Sequence, residues 1–287
     1  MKKRKIVLLL LILLCLGAGG FAAYKIINKD VTDYQNAKDY EQIAEEAFPG
    51  ANKDGQTPES GAMGTNTPRG QKPNFTSLKA TNEDCVGWIQ MPDSIVNYPV
   101  VWRSYNTEYF LKHIFTGAYG NAGTIYISDE CDPHFKSQNT ILFGHHMFNG
   151  TMFADIAKFR DQTYADAHKE IIYFSDEGKK YVLVPFAGVE TNGSDDYLYV
   201  NFATQEDFME YITDKLKRST FSSKVSLAEN DRIVTLSTCT YDVSDGRFAL
   251  YCKLYEYDME TTSEPVEVKN PDPQITEKGP KESIYGS

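Results

Sequence analysis

Two stretches near the end of the chain hold residue types suited to nucleophilic chemistry. Arg232-Ile-Val-Thr-Leu-Ser-Thr-Cys239 reads as a strand that ends in a thiol. Side chains alternate along a strand, so Val234, Leu236 and Thr238 share one face and Thr235, Ser237 and Cys239 the other. The first face begins apolar, as a core face should. The second ends in small polar groups and a thiol, which suits the floor of a groove. The following run, Arg247-Phe-Ala-Leu-Tyr-Cys-Lys-Leu254, puts Phe248, Leu250, Cys252 and Leu254 on an apolar face and Arg247 on the opposite one. Cys252 therefore reads as a buried, inert thiol. Asp245-Gly246 is a turn signal. In an antiparallel hairpin Cys239 and Arg247 sit nearly opposite at its mouth, where a guanidinium lowers a thiol pKa and stabilises an oxyanion. The same residues read equally well as a buried cysteine and a solvated arginine, and by themselves they do not choose.

A third stretch, Asn139-Thr-Ile-Leu-Phe-Gly-His-His146, runs an apolar strand into glycine and two histidines. A strand-end histidine titrates near neutral pH and can serve as acid or base. Adjacent histidines point to opposite faces, so at most one faces a given site. The pattern does not choose between them: Ile141 and Phe143 share a face with His145, Leu142 and Gly144 with His146. A histidine so placed is more often structural than catalytic. His113, His134 and His168 have no context that raises them above a structural role. The cysteines at 15, 85, 131, 239 and 252 form no C-x-x-C pair and no disulfide framework. Cys131 and His134 are only two ligands, too few for a zinc site.

The elements that must position these residues are short strands: 86–90, 98–102, 124–127, 139–143, 170–174, 180–189, 232–239 and 247–255. With 19 Tyr and 16 Phe the composition also favours pleated, half-buried surfaces. Helical pieces lie between them. The clearest is 205–218, with Thr204 as N-cap and Phe208, Ile212 and Leu216 on one face. Many short strands with few helices predict a closed or nearly closed barrel. No internal repeat is visible.

Upstream, Met1-Lys-Lys-Arg-Lys5 precedes an uncharged run from Ile6 to Tyr24, whose 19 residues would span roughly 28 Å as a helix, about one hydrocarbon core. A cleaved signal peptide is the rival reading. The absence of a polar break before Lys25, with a helical stretch following at once, favours an anchor. Lys2 to Lys5 then stay cytoplasmic and the remainder is extracellular. Thr32 and Gln35 resemble a capping box, and 33–48 reads as a polar, solvated helix. Residues 49–73 are rich in Gly, Pro, Thr, Asn and Ser, a flexible linker. The predicted organisation is residues 1–28 cytoplasmic stub and transmembrane anchor, 29–73 juxtamembrane helix and linker, 74–257 catalytic domain, and 258–287 an acidic, Pro-rich, disordered tail. The net charge of -11 argues against a nucleic-acid partner.

Thr235-Leu-Ser-Thr-Cys239 resembles the TLxTC signature of sortases. Arg247 follows at a spacing similar to that of their active-site arginine, and Phe143-Gly-His145-His146 resembles the strand end that carries their catalytic histidine. Asn82-Glu-Asp-Cys-Val-Gly-Trp-Ile89, Val96-Asn-Tyr-Pro-Val-Val101, Ala122-Gly-Thr-Ile125, Gly150-Thr-Met-Phe153 and the helix at 205–218 are similar to class B members. Ser128 departs from that class, which often has Asp there; here the acid is one residue later, at Asp129.

The resemblance implies a sortase-type closed β-barrel with peripheral helices behind an N-terminal transmembrane helix. It implies a cysteine transpeptidase in which Cys239 forms a thioester with a C-terminal sorting motif of a secreted protein, with Pro at its second position and Thr before the scissile bond. His145, directly after the glycine, is implied as acid and base and Arg247 as the group holding the carbonyl oxygen. Ser237 and Thr238 are implied as substrate contacts. The implied acceptor is an amine of peptidoglycan, or a pilin lysine in a pilus-polymerising relative. No metal or organic cofactor is implied. A papain-like cysteine hydrolase remains an alternative, although its cysteine starts a helix whereas Cys239 ends a strand.

Overall fold

A computed structural model describes residues 2–50, 71–193, 198–240, 245–257 and 266–267; at 2–13, 22, 26, 30, 266 and 267 it describes the backbone only. Eight strands form the body: β1 (Cys85–Gln90), β2 (Asn97–Val101), β3 (Ile125–Ile127), β4 (Asn139–Phe143), β5 (Ile171–Ser175), β6 (Lys180–Asn192), β7 (Ile233–Cys239) and β8 (Gly246–Tyr257). All eight predicted strands are present, with ends that differ by up to three residues. They hydrogen-bond in the order β6-β5-β1-β2-β3-β4-β7-β8, and a β6–β8 pairing closes the barrel. That closure runs from Lys180↔Tyr257 to Asn192↔Gly246, with a bulge between Pro185 and Ala187. A proline that cannot donate to the ladder is tolerated at such a break.

Two pairings set the geometry of the site. β4 runs parallel to β7, with Phe143 beside Ser237. β7 runs antiparallel to β8, with Cys239 beside Arg247. The C-terminal ends of β4 and β7 and the start of β8 therefore meet at one rim. The core is dominated by aromatic side chains, among them Trp88, Tyr98, Phe110, Phe115 and Tyr173, all buried. A smaller cluster lies under α4 (Gln205–Arg218), where Phe208 and Ile212 meet Phe186, Ala249 and Tyr251.

α4 has the predicted bounds and a full capping box between Thr204 and Asp207. Its buried stripe is Phe208, Tyr211, Ile212 and Lys215, and the predicted Leu216 is 42% exposed. The helix is rotated by one residue because Lys215 can lay its stem inward. Its ammonium lies 4.4 Å from the Tyr211 ring centroid and 2.9 Å from Asp214 Oδ2, an arrangement that buries methylenes while keeping the charge paired.

The N-terminal segment differs more. α1 is one helix from Lys2 to Ala47, so Thr32 and Gln35 cap nothing. The Thr32 hydroxyl donates to the Asn28 carbonyl and Gln35 Nε2 to Asp39. Nor is its second half solvated. Asp33, Asn36, Tyr40, Ile43 and Ala47 are buried, as is Phe48 just beyond. Their 3-4 spacing is a narrow helical stripe. Tyr40 meets Tyr98 edge to face at 5.3 Å, and Phe48 meets Trp88 likewise at 5.2 Å. The stripe escapes a hydrophobicity reading because Asp33 and Asn36 belong to it. A short helix, α2 (Phe75–Thr81), follows, and the Asn74 amide donates to the Ala47 carbonyl at 2.8 Å.

Among the described residues no helix is long and apolar enough to cross a membrane; the side chains of residues 6–13 lie outside them. Linker residues 51–70 also lie outside the described residues, as does the tail beyond Tyr257 except Val266–Glu267. That dipeptide, β9, pairs with Tyr255 and Glu256 of β8.

Candidate active site

Cys239 closes β7 and is partly accessible, the only thiol of the barrel that is; Cys85, Cys131 and Cys252 are buried. Burial pushes Cys85 and Cys131 up to about 12 and raises Cys252 further, which disfavours the thiolate in all three. Cys131 is also engaged, accepting the Ile141 amide at 3.3 Å, while His134 faces Asp176 and Glu177.

Cys239 lies directly across the ladder from Arg247. Burial raises the thiol pKa, the Arg247 charge lowers it and the Asp245 charge raises it. Arg247 is itself held: Nη2 lies 2.7 Å from Asp245 Oδ1, and Nη1 donates to the Gly246 carbonyl at 3.1 Å. The Arg247 side chain is 13% exposed, so a long flexible residue is held in one orientation at the rim. Asp245 read only as a turn residue in the sequence. Its place two residues before Arg247 was the available signal.

The histidine pair sits where β4 ends. Gly144 donates to the Ser237 carbonyl at 3.1 Å, carrying the β4–β7 ladder one residue further. A Cβ at Gly144 would lie 2.4 Å from Ile125 and 2.6 Å from the Phe153 ring, so the residue before His145 must be glycine for the strand end to pack. His145 Nε2 is 2.7 Å from the Leu111 carbonyl. A carbonyl only accepts, so Nε2 carries the proton and Nδ1 is the free basic nitrogen. Burial lowers the His145 pKa, the Leu111 carbonyl opposes this, and the Arg247 charge lowers it further. Arg247 thus acts on both Cys239 and His145. His146 takes another partner: its Nδ1 is 3.1 Å from the Cys239 carbonyl, tying the end of β7 to the β4 end.

Ser237 and Thr238, expected as substrate contacts, are each 2% exposed. Ser237 lies on the Cys239 face. Thr238 points the other way, paired with the buried Phe248, and its hydroxyl is buried without a partner. Thr238 can meet a substrate only through its backbone. Next to the strand ends lies a cavity of about 230 Å³ lined by Asn106, Thr107, Glu108, Tyr126, Ser128, Asp129 and Phe143. Phe143 pairs with Ser237 and Tyr126 with Phe143, so this cavity shares the face that carries Cys239. Ser128 is buried in it and Asp129 is exposed at its edge.

A thiol closing one strand, a guanidinium opposite it and a glycine-histidine end on a parallel neighbour coincide with a sequence match to the sortase domain over residues 89–255. The chain belongs to the sortase family. Sortase B of Listeria monocytogenes is 31% identical over 246 residues, which cover 85% of this chain and 95% of that protein. Sortase B of Staphylococcus aureus is 32% identical over 185 residues, covering 64% and 75%. A crystal structure of the S. aureus enzyme superposes with a TM-score of 0.60 at 30% identity, over 65% of this chain and 88% of that one. The S. aureus sortase B–substrate complex gives 0.65 at 26% identity, over 78% and 98%. The relatives are class B sortases, and the protein is a sortase-type cysteine transpeptidase on a closed β-barrel. Its cysteine ends a strand, unlike that of a papain-like hydrolase.

Proposed function

We propose that this sortase cleaves a C-terminal sorting motif of secreted proteins and transfers the new carboxyl end to an amine of peptidoglycan. The observation that carries the site assignment is the register that sets Cys239 opposite Arg247, with Arg247's charge acting also on His145.

In this reading the Cys239 thiolate attacks the carbonyl before the scissile bond and forms a thioester. Arg247, aimed by Asp245, holds the developing oxyanion. His145 protonates the leaving amine and then takes a proton from the incoming one, using Nδ1 in both steps because Nε2–H stays on Leu111. The cavity beside Phe143 and Tyr126 takes a side chain of the motif, and the backbone of Ser237 and Thr238 lines the groove next to it. The substrate complex of the S. aureus relative supports a sorting-type substrate. A basic N-terminus followed by the apolar run Ile6–Tyr24 supports a single-pass anchor, with residues 2–5 cytoplasmic and the barrel outside.

The test is mass spectrometry of the purified enzyme with a sorting-peptide library and two amines, a peptidoglycan-type peptide amine and a pilin-type lysine peptide. The expected products are a Cys239 thioester and a ligated peptide on the first amine. Ligation to the lysine peptide alone would make it a pilus polymerase. Loss of neither product in Cys239→Ala would overturn the nucleophile. Alkaline carbonate extraction of membranes checks the anchor; release of the chain into the soluble fraction would refute it.

A further inference from the structure

The proposed acid-base histidine is held by a loop, and the loop is held by α1. The His145 ring rests between two neighbours on the segment from Phe110 to Thr124. One is the Leu111 carbonyl, 2.7 Å from Nε2. The other is Gly123, where an added Cβ would lie 3.1 Å from His145 Cδ2, 2.5 Å from the Phe110 carbonyl oxygen and 2.9 Å from that of Leu111. Gly123 has φ +57°, a conformation that favours glycine. The two ends of the segment are tied to each other, the Thr124 amide donating to the Phe110 carbonyl at 2.8 Å. A shift of Gly123 therefore moves both surfaces that fix the imidazole.

What fixes Gly123 comes from 83 residues upstream. The Tyr40 hydroxyl, on the buried face of α1, donates to the Gly123 carbonyl. It accepts the Phe115 amide at 3.3 Å and lies 3.2 Å from the Thr124 hydroxyl, which itself donates to the His113 carbonyl at 2.8 Å. One turn earlier, Asn36 presses on the same loop: a Cβ at Gly120 would lie 2.8 Å from its amide nitrogen. One hydroxyl thus joins both arms of the loop, on a side chain that is 2% exposed.

We propose that Tyr40 is a positioning residue for the transpeptidase reaction, acting through Gly123 and Leu111 to hold the His145 ring in its Nε2–H form. Tyr40 thereby links α1 to the loop that holds His145. The proposal rests on His145 as the acid and base, and the experiment separates the two.

The test compares full-length protein in detergent with Tyr40→Phe, Ile43→Ala and His145→Ala. Tyr40→Phe removes the hydroxyl and leaves the ring against Tyr98. Ile43→Ala weakens α1 packing and keeps the Tyr40 hydroxyl that bonds Gly123. Two readouts are taken: steady-state kinetics on an internally quenched peptide with Pro at the second position and Thr before the scissile bond, and the ring ¹⁵N shifts of His145 in histidine-labelled protein. Tyr40→Phe should lower kcat roughly ten-fold with KM little changed, the scale of loss from a misplaced catalytic group, and should mix the His145 tautomers. Ile43→Ala should lower the melting temperature and leave both kcat and the Nε2–H signature as in wild type. Wild-type shifts in Tyr40→Phe, or equal kcat losses in Tyr40→Phe and Ile43→Ala, would overturn the proposal. An active His145→Ala would remove the acid-base reading, and the ring shifts in Tyr40→Phe would still decide whether the clamp exists.

Discussion

A chain beginning at Asn74 should be far less stable than one beginning near Asn28, although both keep every strand and every catalytic candidate. The shorter chain loses the buried stripe of α1 and leaves its seat on the barrel open to water. Tyr40, Ile43 and Phe48 are 2%, 4% and 2% exposed. Full burial of such side chains contributes about 1.5–3 kcal/mol each, and the edge-to-face pairs with Tyr98 and Trp88 add about 0.5–1.5 kcal/mol each. The lost terms together come to roughly 5–12 kcal/mol, an upper estimate because an unfolded chain also hides some of this surface. A domain is stable by only about 5–15 kcal/mol in total. The shorter chain should therefore unfold at much lower urea, or fail to fold at all. Urea melts followed by tryptophan fluorescence read this directly, since Trp88 sits beneath Phe48. Coincident midpoints for the two chains would show that α1 docks without contributing stability, and the packing argument would fail.

Arg247→Lys should cost on the order of 3 kcal/mol in kcat/KM, the scale of one lost oxyanion donor, because an ammonium cannot replace the planar fork that meets Asp245, Gly246 and substrate together. Wild-type turnover in that variant would show that charge alone matters. Alkylation of Cys239 by a neutral reagent should rise with pH to a midpoint above that of a free thiol, since burial dominates its shift. Removing a positive neighbour disfavours the thiolate, so Arg247→Gln should move the midpoint up; removing a negative one favours it, so Asp245→Asn should move it down. A downward move in Arg247→Gln would contradict the geometry. His145→Ala should abolish hydrolysis and transpeptidation, while His146→Ala should keep much of both and lose about 1 kcal/mol of stability with the hydrogen bond to the Cys239 carbonyl. A dead but folded His146→Ala beside an active His145→Ala would reverse the assignment.

The strands were legible because their signals are local: alternation, aromatic and β-branched runs, and turn residues such as Asp245-Gly246. The facing of Cys239 and Arg247 was legible for the same reason, as a hairpin's register follows from its own residues. Two things were not legible, and a third was legible but misread. The outward turn of Leu216 depends on Lys215 finding Asp214 and the Tyr211 ring. The inward turn of Thr238 was present in the alternation, but a hydroxyl beside a nucleophile suggests substrate contact until Phe248 is seen across the ladder. The seat of α1 depends on residues Tyr98 and Trp88, far away in sequence, and two of the stripe's members are polar.

The histidine pair shows how far local pattern goes. Alternation says that His145 and His146 diverge, and it stops there. Their difference comes from what meets each ring. His146 binds the carbonyl of Cys239, so its partner is the backbone that ends β7, and moving it moves the strand end. His145 binds the carbonyl of Leu111, on a loop that makes no part of β7. Its proton is fixed on one nitrogen by a group that takes no part in the chemistry, and the other nitrogen is left to exchange protons. Arg247 acts electrostatically on this ring and on the thiol alike, and both shifts oppose a resting thiolate–imidazolium pair, since burial raises one pKa and lowers the other. In the proposed mechanism the reactive pair is then less populated than it would be with unshifted groups. Because thiolate rises and imidazolium falls with pH, kcat/KM should be bell-shaped, with its maximum between the two values. Whatever steadies either ring or guanidinium raises the yield from that population, which is why Asp245 on one side and the Tyr40–Gly123–Leu111 connection on the other should matter out of proportion to their distance from the bond that breaks.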